Sequence, residues 1–382
     1  MSVCFAKKIY RMIFPKRVRE VIFFIRTHPL SLLKIKKILE HNRILERYKE
    51  RFESFGEDYP DKTFYVIYIR YATNIISFIR CIIPYLQYAE NKGWIPIIDQ
   101  KTYRYNFLGE RYEGTENDNI WEMFFEQPLG YSLDDIKRAK NVCYCNPLSA
   151  PEGYAIPKGA DSLSEDMLSA FTKYIRLKED AKKKIVNLAN KCNFNHKKKY
   201  VGINVRCEML RGALLKKNLY INHKYSSKDQ VLSAIENVKA EYDCGKYGVY
   251  IICDDSFVKV NLAKHFDSYD TAWVERHFYI ASFFENGDLS KPLPDKVMYK
   301  RVLNADFIQH VENFYEYLAD VYALSRCDIV VCGEDDSAPF MATLFKGSKF
   351  SKYIFFDANV FHGSTSEKKY LYEDKGGYVA LR

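Results

Sequence analysis

Residues 64–99 contain a pattern that few folds accommodate. A short apolar run, FYVIYIR (64–70), is followed by a stretch of helical periodicity, TNIISFIRCIIPYLQYAENK (73–92), and then by a second apolar run, WIPIID (94–99). Runs rich in β-branched and aromatic residues read as strands. An apolar residue every three to four positions reads as a helix. Thr73 or Asn74 is placed to cap the helix, and Gly93 to end it. Two strands joined through a helix pair in parallel, because only a long crossover brings the chain back to the same end. This β-α-β unit commits the chain to a parallel sheet covered by helices.

The alternation continues to the end of the chain. A short aromatic helix around NIWEMFF (119–125), a break at Pro128 and Gly130, a helix capped by Ser132, and the strand NVCYC (141–145) complete the first half. Residues 161–191 read as one or two helices, with Asp161 or Ser162 at the start. CNFNHKKK (192–199) reads as a linker. Beyond it come strands at 200–206, 247–253, 270–275, 328–332 and 352–357, separated by helices at 226–242, 256–265, 308–326 and 337–347. The expected fold class is therefore α/β, with two Rossmann-like, doubly wound domains facing a cleft. The expected division is a basic amphipathic helical segment (1–55), an N-terminal Rossmann-like domain (56–192), a C-terminal Rossmann-like domain (193–360), and a tail packing back on the fold (361–382).

Composition agrees. A chain of 382 residues with 47% hydrophobic and 16% aromatic content is long enough for two cores. Its ten cysteines are scattered, several inside apolar runs such as YIICDD and IVVCGE, as expected of buried reduced thiols in the cytosol. Cys143 and Cys145 form the one close pair, and no second pair or histidine cluster accompanies them, so no metal site is expected.

The net charge of +9 is concentrated at the N-terminus. Residues 1–52 carry 14 Lys/Arg and 4 Asp/Glu, and the remainder is close to neutral. From Leu30 to Tyr48, apolar residues recur at helical spacing with lysines and arginines interleaved. Such a helix suits either an anionic membrane surface or packing on its own domain with a solvated basic face. Its apolar stretches are too short to span a bilayer. The expected location is the cytoplasm, with peripheral contact at the inner face of the membrane. No nucleic-acid motif accompanies the charge, and no nucleic-acid partner is expected.

Three strand ends in the second half are polar. YVGINVRCEML ends in Asn204, Arg206 and Glu208; YIICDDSF ends in Asp254 and Asp255; DIVVCGEDDS ends in Gly333, Glu334, Asp335, Asp336 and Ser337. Parallel strands bring such ends to one edge, where ligands bind. An acid at a strand end also serves as a helix cap, and Asp255 fits that role equally well. Arg206 is the most informative residue, since a permanently charged planar fork suits a phosphate or diphosphate. No GxGxxG or Walker-type run is present, which argues against the common phosphate-loop enzymes.

These stretches resemble the fucosyltransferase superfamily with the two-domain GT-B fold. That group spans α-1,6-fucosyltransferases, protein O-fucosyltransferases, nodulation fucosyltransferases and bacterial polysaccharide enzymes. VGINVRCEML resembles its arginine-bearing strand, YIICDDSF its TDD strand end, and ADVYALSRCDIVVCGEDDS its Asp-x-x-x-Leu-Ser segment. YLQYAENKGWIPIID and NIWEMFFEQPLGYSLDDIKRAKNV resemble first-domain stretches of bacterial members, so the likeness covers roughly residues 64–360.

The resemblance implies a metal-independent inverting glycosyltransferase with a nucleotide-sugar donor, GDP-fucose first, and no cofactor. It implies a bacterial surface-glycan intermediate as acceptor, either free or lipid-linked. Arg206 matches the arginine at the donor β-phosphate, and Asp320 the aspartate that reads guanine. Asn204 replaces a histidine near the guanine or ribose. Asp254 and Asp255 match the acidic pair, and His223 a histidine that follows the arginine strand. Gly333, Asp336 and Ser337 fall at the diphosphate loop, and Glu208 and Asp255 are candidate general bases or acceptor contacts. Independently of the resemblance, the aromatic patch Trp121, Phe124 and Phe125 reads first as core and second as the lining of an acceptor groove, with Glu122 beside it. Three departures stand out: Glu208-Met209 replaces the family's Thr-Asp, Asp335-Asp336 replaces its paired serines, and RYATNII (70–76) carries no glycine where the family has a small Gly-rich loop. The first two motivate an alternative, a non-catalytic relative that binds glycan or scaffolds polysaccharide assembly.

Overall fold

The computed structural model describes residues 49–69, 75–100, 119–207, 228–276, 283–293, 307–333, 336–356, 370–373 and 377–380. Among these, the first sheet contains β1 (Arg51–Glu53), β2 (Phe64–Ile67), β3 (Ile95–Ile98) and β4 (Val142–Tyr144), in the order β1-β4-β2-β3. β2 pairs in parallel with both β3 and β4, as the β-α-β pattern predicts. β1 adds an antiparallel edge that sequence reading did not find. It is three residues long, with Phe52 exposed, too short and too polar to carry a strand pattern.

The second sheet is wholly parallel. It contains β5 (Lys199–Val205), β6 (Tyr247–Cys253), β7 (Thr271–Ala272), β8 (Ile329–Cys332) and β9 (Lys352–Phe355), in the order β7-β6-β5-β8-β9. A hairpin of β10 (Tyr370–Glu373) and β11 (Gly377–Ala380) belongs to a separate unit, Met1–Lys49 with Lys368–Arg382. The two main sheets lie in the unit Glu50–Glu367.

The helices are α1 (Ile75–Lys92), α2 (Trp121–Phe124), α3 (Leu133–Ile136), α4 (Glu165–Tyr174), α5 (Glu179–Asn190), α6 (Lys228–Glu241), α7 (Ser256–Ala263), α8 (Phe307–Leu324) and α9 (Ser337–Lys346). Ser132 caps α3 in a reciprocal box with Asp135, as its sequence predicts. The start of α4 differs from expectation. Ser162 closes a turn on Gly159, and Ser164 accepts from the Met167 N–H to cap the helix instead. Gly347 ends α9 at φ 69°, a left-handed value that glycine adopts without strain.

Alternation along β5 sorts the second sheet's faces. Val201, Ile203 and Val205 pack with α6 and α7 through Val231, Ile235, Val258 and Leu262. The opposite face packs against α8 and α9. Gly202 brings α8 close, since a Cβ there would meet Leu324 Cδ1 at 2.3 Å. Helices therefore cover both faces, as expected of a doubly wound sheet. A continuous apolar core runs from Ile67 and α1 through α4 and α5 to Leu318 and Phe340. Phe124 meets Phe314 edge-on at 4.5 Å, and Lys184 pairs with Glu312.

The strand order fixes where a ligand would bind. From β5 the chain moves outward to β6 and β7, then returns to the other side of β5 as β8. The crevice at a parallel sheet's C-terminal edge opens where the order reverses, here between β5 and β8.

Candidate functional site

Arg206 follows the last residue of β5 at this reversal, and its side chain is 31% exposed. Across the crevice, the chain leaves β8 through Gly333 and enters α9 at Asp336. Arg206 Nη1 lies 3.8 Å from Asp336 Oδ1. Asn204 Nδ2 donates to Asp336 Oδ2 at 2.7 Å, and the Gly333 N–H donates to the same oxygen at 2.8 Å. Asn204, Arg206, Gly333 and Asp336 thus converge. Burial pushes the Asp336 carboxyl up to about 6, against the opposing pull of Arg206, the Gly333 N–H and Asn204. Ser337 opens α9 beside them.

The end of β6 supplies Asp254 and Asp255, which behave differently. Asp254 Oδ1 accepts from the Cys207 N–H at 2.7 Å and so fixes the backbone just after Arg206. Asp255 is fully buried. Its Oδ1 accepts from Phe257 and Val258 at the start of α7, and its Oδ2 accepts from Phe283 at 2.7 Å and Phe284 at 3.4 Å. Both oxygens are occupied by backbone N–H groups. The capping role that its position permits is the one its geometry displays.

Asp320 is also fully buried on α8. Tyr250 donates to its Oδ1 at 2.8 Å, and Arg276 Nη1 lies 3.7 Å from its Oδ2. Lys259 donates to the Val274 carbonyl beside them. Burial raises the Asp320 carboxyl and lowers the Lys259 ammonium, while Arg276 and Lys259 act on Asp320 in the opposite direction. One turn earlier, Tyr317 stacks against Arg276 at 5.7 Å. Burial pushes its phenol up to about 12, with Arg206 and Arg276 pulling it down. Tyr317 thus stands within the electrostatic reach of both arginines.

Sequence reading missed Arg276, Lys259 and Tyr317. Arg276 had a weak signal: TAWVER (271–276) is another largely apolar run that ends in an arginine, as VGINVR does. Its strand has only two residues, so the run is weak. Glu208 and His223 lie outside the described residues. Trp121 is fully buried, stacked on Phe125 at 4.3 Å, and donates to the Glu126 carbonyl. It is part of the core, as are Phe124 and Phe125. Glu122 Oε1 accepts from Asn119 and Gln127, which ties α2 to the end of β3.

One trio of metal-ligating types converges among the described residues: Cys207, Cys253 and Asp254, within 4.8 Å of one another. The two sulfurs are 3.3 Å apart, and burial holds the Cys207 thiol far above its ordinary range. The two sulfurs are in hydrogen-bonding contact, and Asp254 Oδ1 accepts from the Cys207 backbone. The fixed cation at this edge is Arg206. Cys81, Cys143, Cys145, Cys192, Cys327 and Cys332 are also buried and in no disulfide among the described residues.

In fold, the chain is similar to solved fucosyltransferases. A NodZ α-1,6-fucosyltransferase co-crystallised with GDP aligns over 84% of this chain and 98% of that one, at 14% identity and a TM-score of 0.44. NodZ from Bradyrhizobium aligns over 74% and 93%, at 15% identity and a TM-score of 0.42. POFUT1 in complex with GDP-fucose aligns over 79% and 99%, at 11% identity and a TM-score of 0.40. No protein-family model matches the chain, and no curated protein matches its sequence. No helix among the described residues is long and apolar enough to cross a membrane.

Proposed function

We propose that the protein is a glycosyltransferase that takes its sugar from a nucleoside diphosphate. One observation carries the reading: Arg206 lies part-exposed at the sheet's reversal point, beside the Gly333 N–H and the start of α9. A guanidinium, a strand-end backbone N–H and a helix N-terminus are the groups that bind a diphosphate. In the inverting reaction, an acceptor hydroxyl oxygen bonds to the anomeric carbon as the bond from that carbon to the β-phosphate oxygen breaks. The electron pair leaves with the diphosphate, and the hydroxyl proton passes to a base. Arg206 offsets the charge that grows on the leaving oxygen, a task that a divalent metal performs in other transferases.

Asp254 holds the backbone next to Arg206, and Asp320 with Arg276 orders the neighbouring wall. These are positioning roles. The resemblance in the arginine strand and the Asp320 segment makes GDP-fucose the first donor to test, with a surface-glycan intermediate as acceptor. Products are read by mass spectrometry, with UDP- and CDP-sugars in parallel. Arg206→Ala is expected to lower turnover at least about a thousandfold while leaving the circular dichroism spectrum unchanged. Near-normal turnover in that variant sinks the assignment.

One observation favours a second reading, a glycan-binding relative without transferase activity. A carboxylate, Asp336, faces Arg206 where the family has serine. A thermal-shift screen separates the two. A response to nucleotide sugars supports the transferase, and a response to glycans alone supports the binding protein.

A further inference from the structure

The partners of Asp336 are the ones a phosphate would use. Its Oδ2 takes the Asn204 carboxamide and the Gly333 N–H, and its Oδ1 faces the Arg206 guanidinium. It occupies the N-cap position of α9, yet its side chain makes no capping bond to that helix. Gly333 leaves it room, since a Cβ there would lie 3.2 Å from Asp336 Oδ2. The carboxylate is an internal anion turned away from its own helix and into the crevice.

The geometry points to Asp336 as an internal competitor for the diphosphate's place, so that donor binding takes up a proton at its carboxyl. This inference rests on the reading that a nucleotide sugar binds at Arg206. Two unneutralised anions a few ångströms apart in a part-buried crevice repel strongly, and one guanidinium does not satisfy both. Protonation removes the carboxylate's charge and leaves only the diphosphate's. The neutral carboxyl keeps an oxygen for Asn204 and Gly333, and Arg206 is released to the diphosphate.

The other groups around Asp336 among the described residues do not take over this role. Arg206 stays charged at all working pH values. Asp254, from the end of β6, adds negative charge and favours protonation of Asp336 further. Tyr317, from α8, titrates near 12 and is neutral. Asn204 does not titrate. The Asp336 carboxyl already lies near 6, within reach of neutral pH. An incoming anion raises it again, as one carboxylate raises another.

The probe is GDP-fucose, with UDP-glucose as a second, because the disubstituted diphosphate of a nucleotide sugar keeps the same two negative charges throughout the neutral range. Isothermal titration in two phosphate-free buffers of unlike protonation enthalpy counts the protons. Near pH 7.5 the expected uptake approaches one proton per donor bound. The dissociation constant should rise roughly tenfold per pH unit above about pH 6. Asp336→Asn keeps an oxygen for Asn204 and Gly333 and removes the charge. It should abolish the uptake, flatten the pH profile, and bind about tenfold or more tightly than the native protein at pH 8.

Native binding without proton uptake overturns the inference and leaves the transferase reading standing. An Asp336→Asn variant that still takes up the proton also overturns it. If neither nucleotide sugar binds the native protein or the variant at any pH, the donor-binding reading fails and this inference fails with it. The native proton count needs no variant, so a variant that does not fold still leaves the proposal open to refutation.

Discussion

The ends of β6 and β8 place an aspartate at the N-cap of the following helix, and the two aspartates do opposite things. Asp255 turns into its helix and gathers four backbone N–H groups. Asp336 turns away from its helix, toward Asn204, Gly333 and Arg206. Both are buried carboxylates. The difference lies in the donors. Asp255 is tied to backbone that cannot move without unfolding α7 and the segment at 283–284. Asp336 shares side-chain and strand-end donors that an incoming anion can also use. Burial alone therefore does not mark a functional acid; its partners do.

The comparison can be broken most sharply at Asp255. Asp255→Ala removes a helix cap and strands the Phe283 and Phe284 N–H groups, with an expected stability loss of about 3–5 kcal/mol. Urea unfolding reads it, and a loss under about 1 kcal/mol removes Asp255 from the structural role.

Asp336→Asn should act in the reverse direction. The carboxyl lies near 6 in the fold, above its ordinary value of 3.8. The fold therefore holds the proton more tightly than the unfolded chain does. The stability this provides is present below about pH 4 and is lost as pH rises through about 6. The variant should be more stable than the native protein at pH 8 by about 2–3 kcal/mol, and should lack that decline. Melting curves at pH 5 and pH 8 check the sign, and equal shifts at both values contradict it.

Asn204→Ala should have the smallest effect. It removes one donor to Asp336 and costs about 1–2 kcal/mol at pH 8. The cost should shrink at pH 5, where the carboxyl is protonated. A cost independent of pH would mean that Asn204 supports the strand rather than the carboxylate.

Much of the architecture was legible because its signals are local. The run at 64–99 announced β2, α1 and β3, and Ser132 announced α3. The failures have equally physical causes. β1 is held by pairing with β4 rather than by any pattern of its own. Ser162 and Ser164 are both good caps, and only the turn on Gly159 decides between them. Arg206 and Asp336 were legible as polar strand ends. Arg276 left only a weak trace, because its strand is short and its partner Asp320 is distant in the chain.

Periodicity, capping and strand-end composition depend on residues a few positions apart, so the sequence by itself determined the alternating elements and the polar edge of the second sheet. It also placed a permanent cation at the end of β5. Which aspartate became a cap and which faces that cation was a tertiary decision. Asn204 and Asp336 are 132 residues apart and meet only because β5 and β8 are neighbours. A carboxylate takes its character from the donors and the burial around it, and those come from whichever segments the fold packs against it.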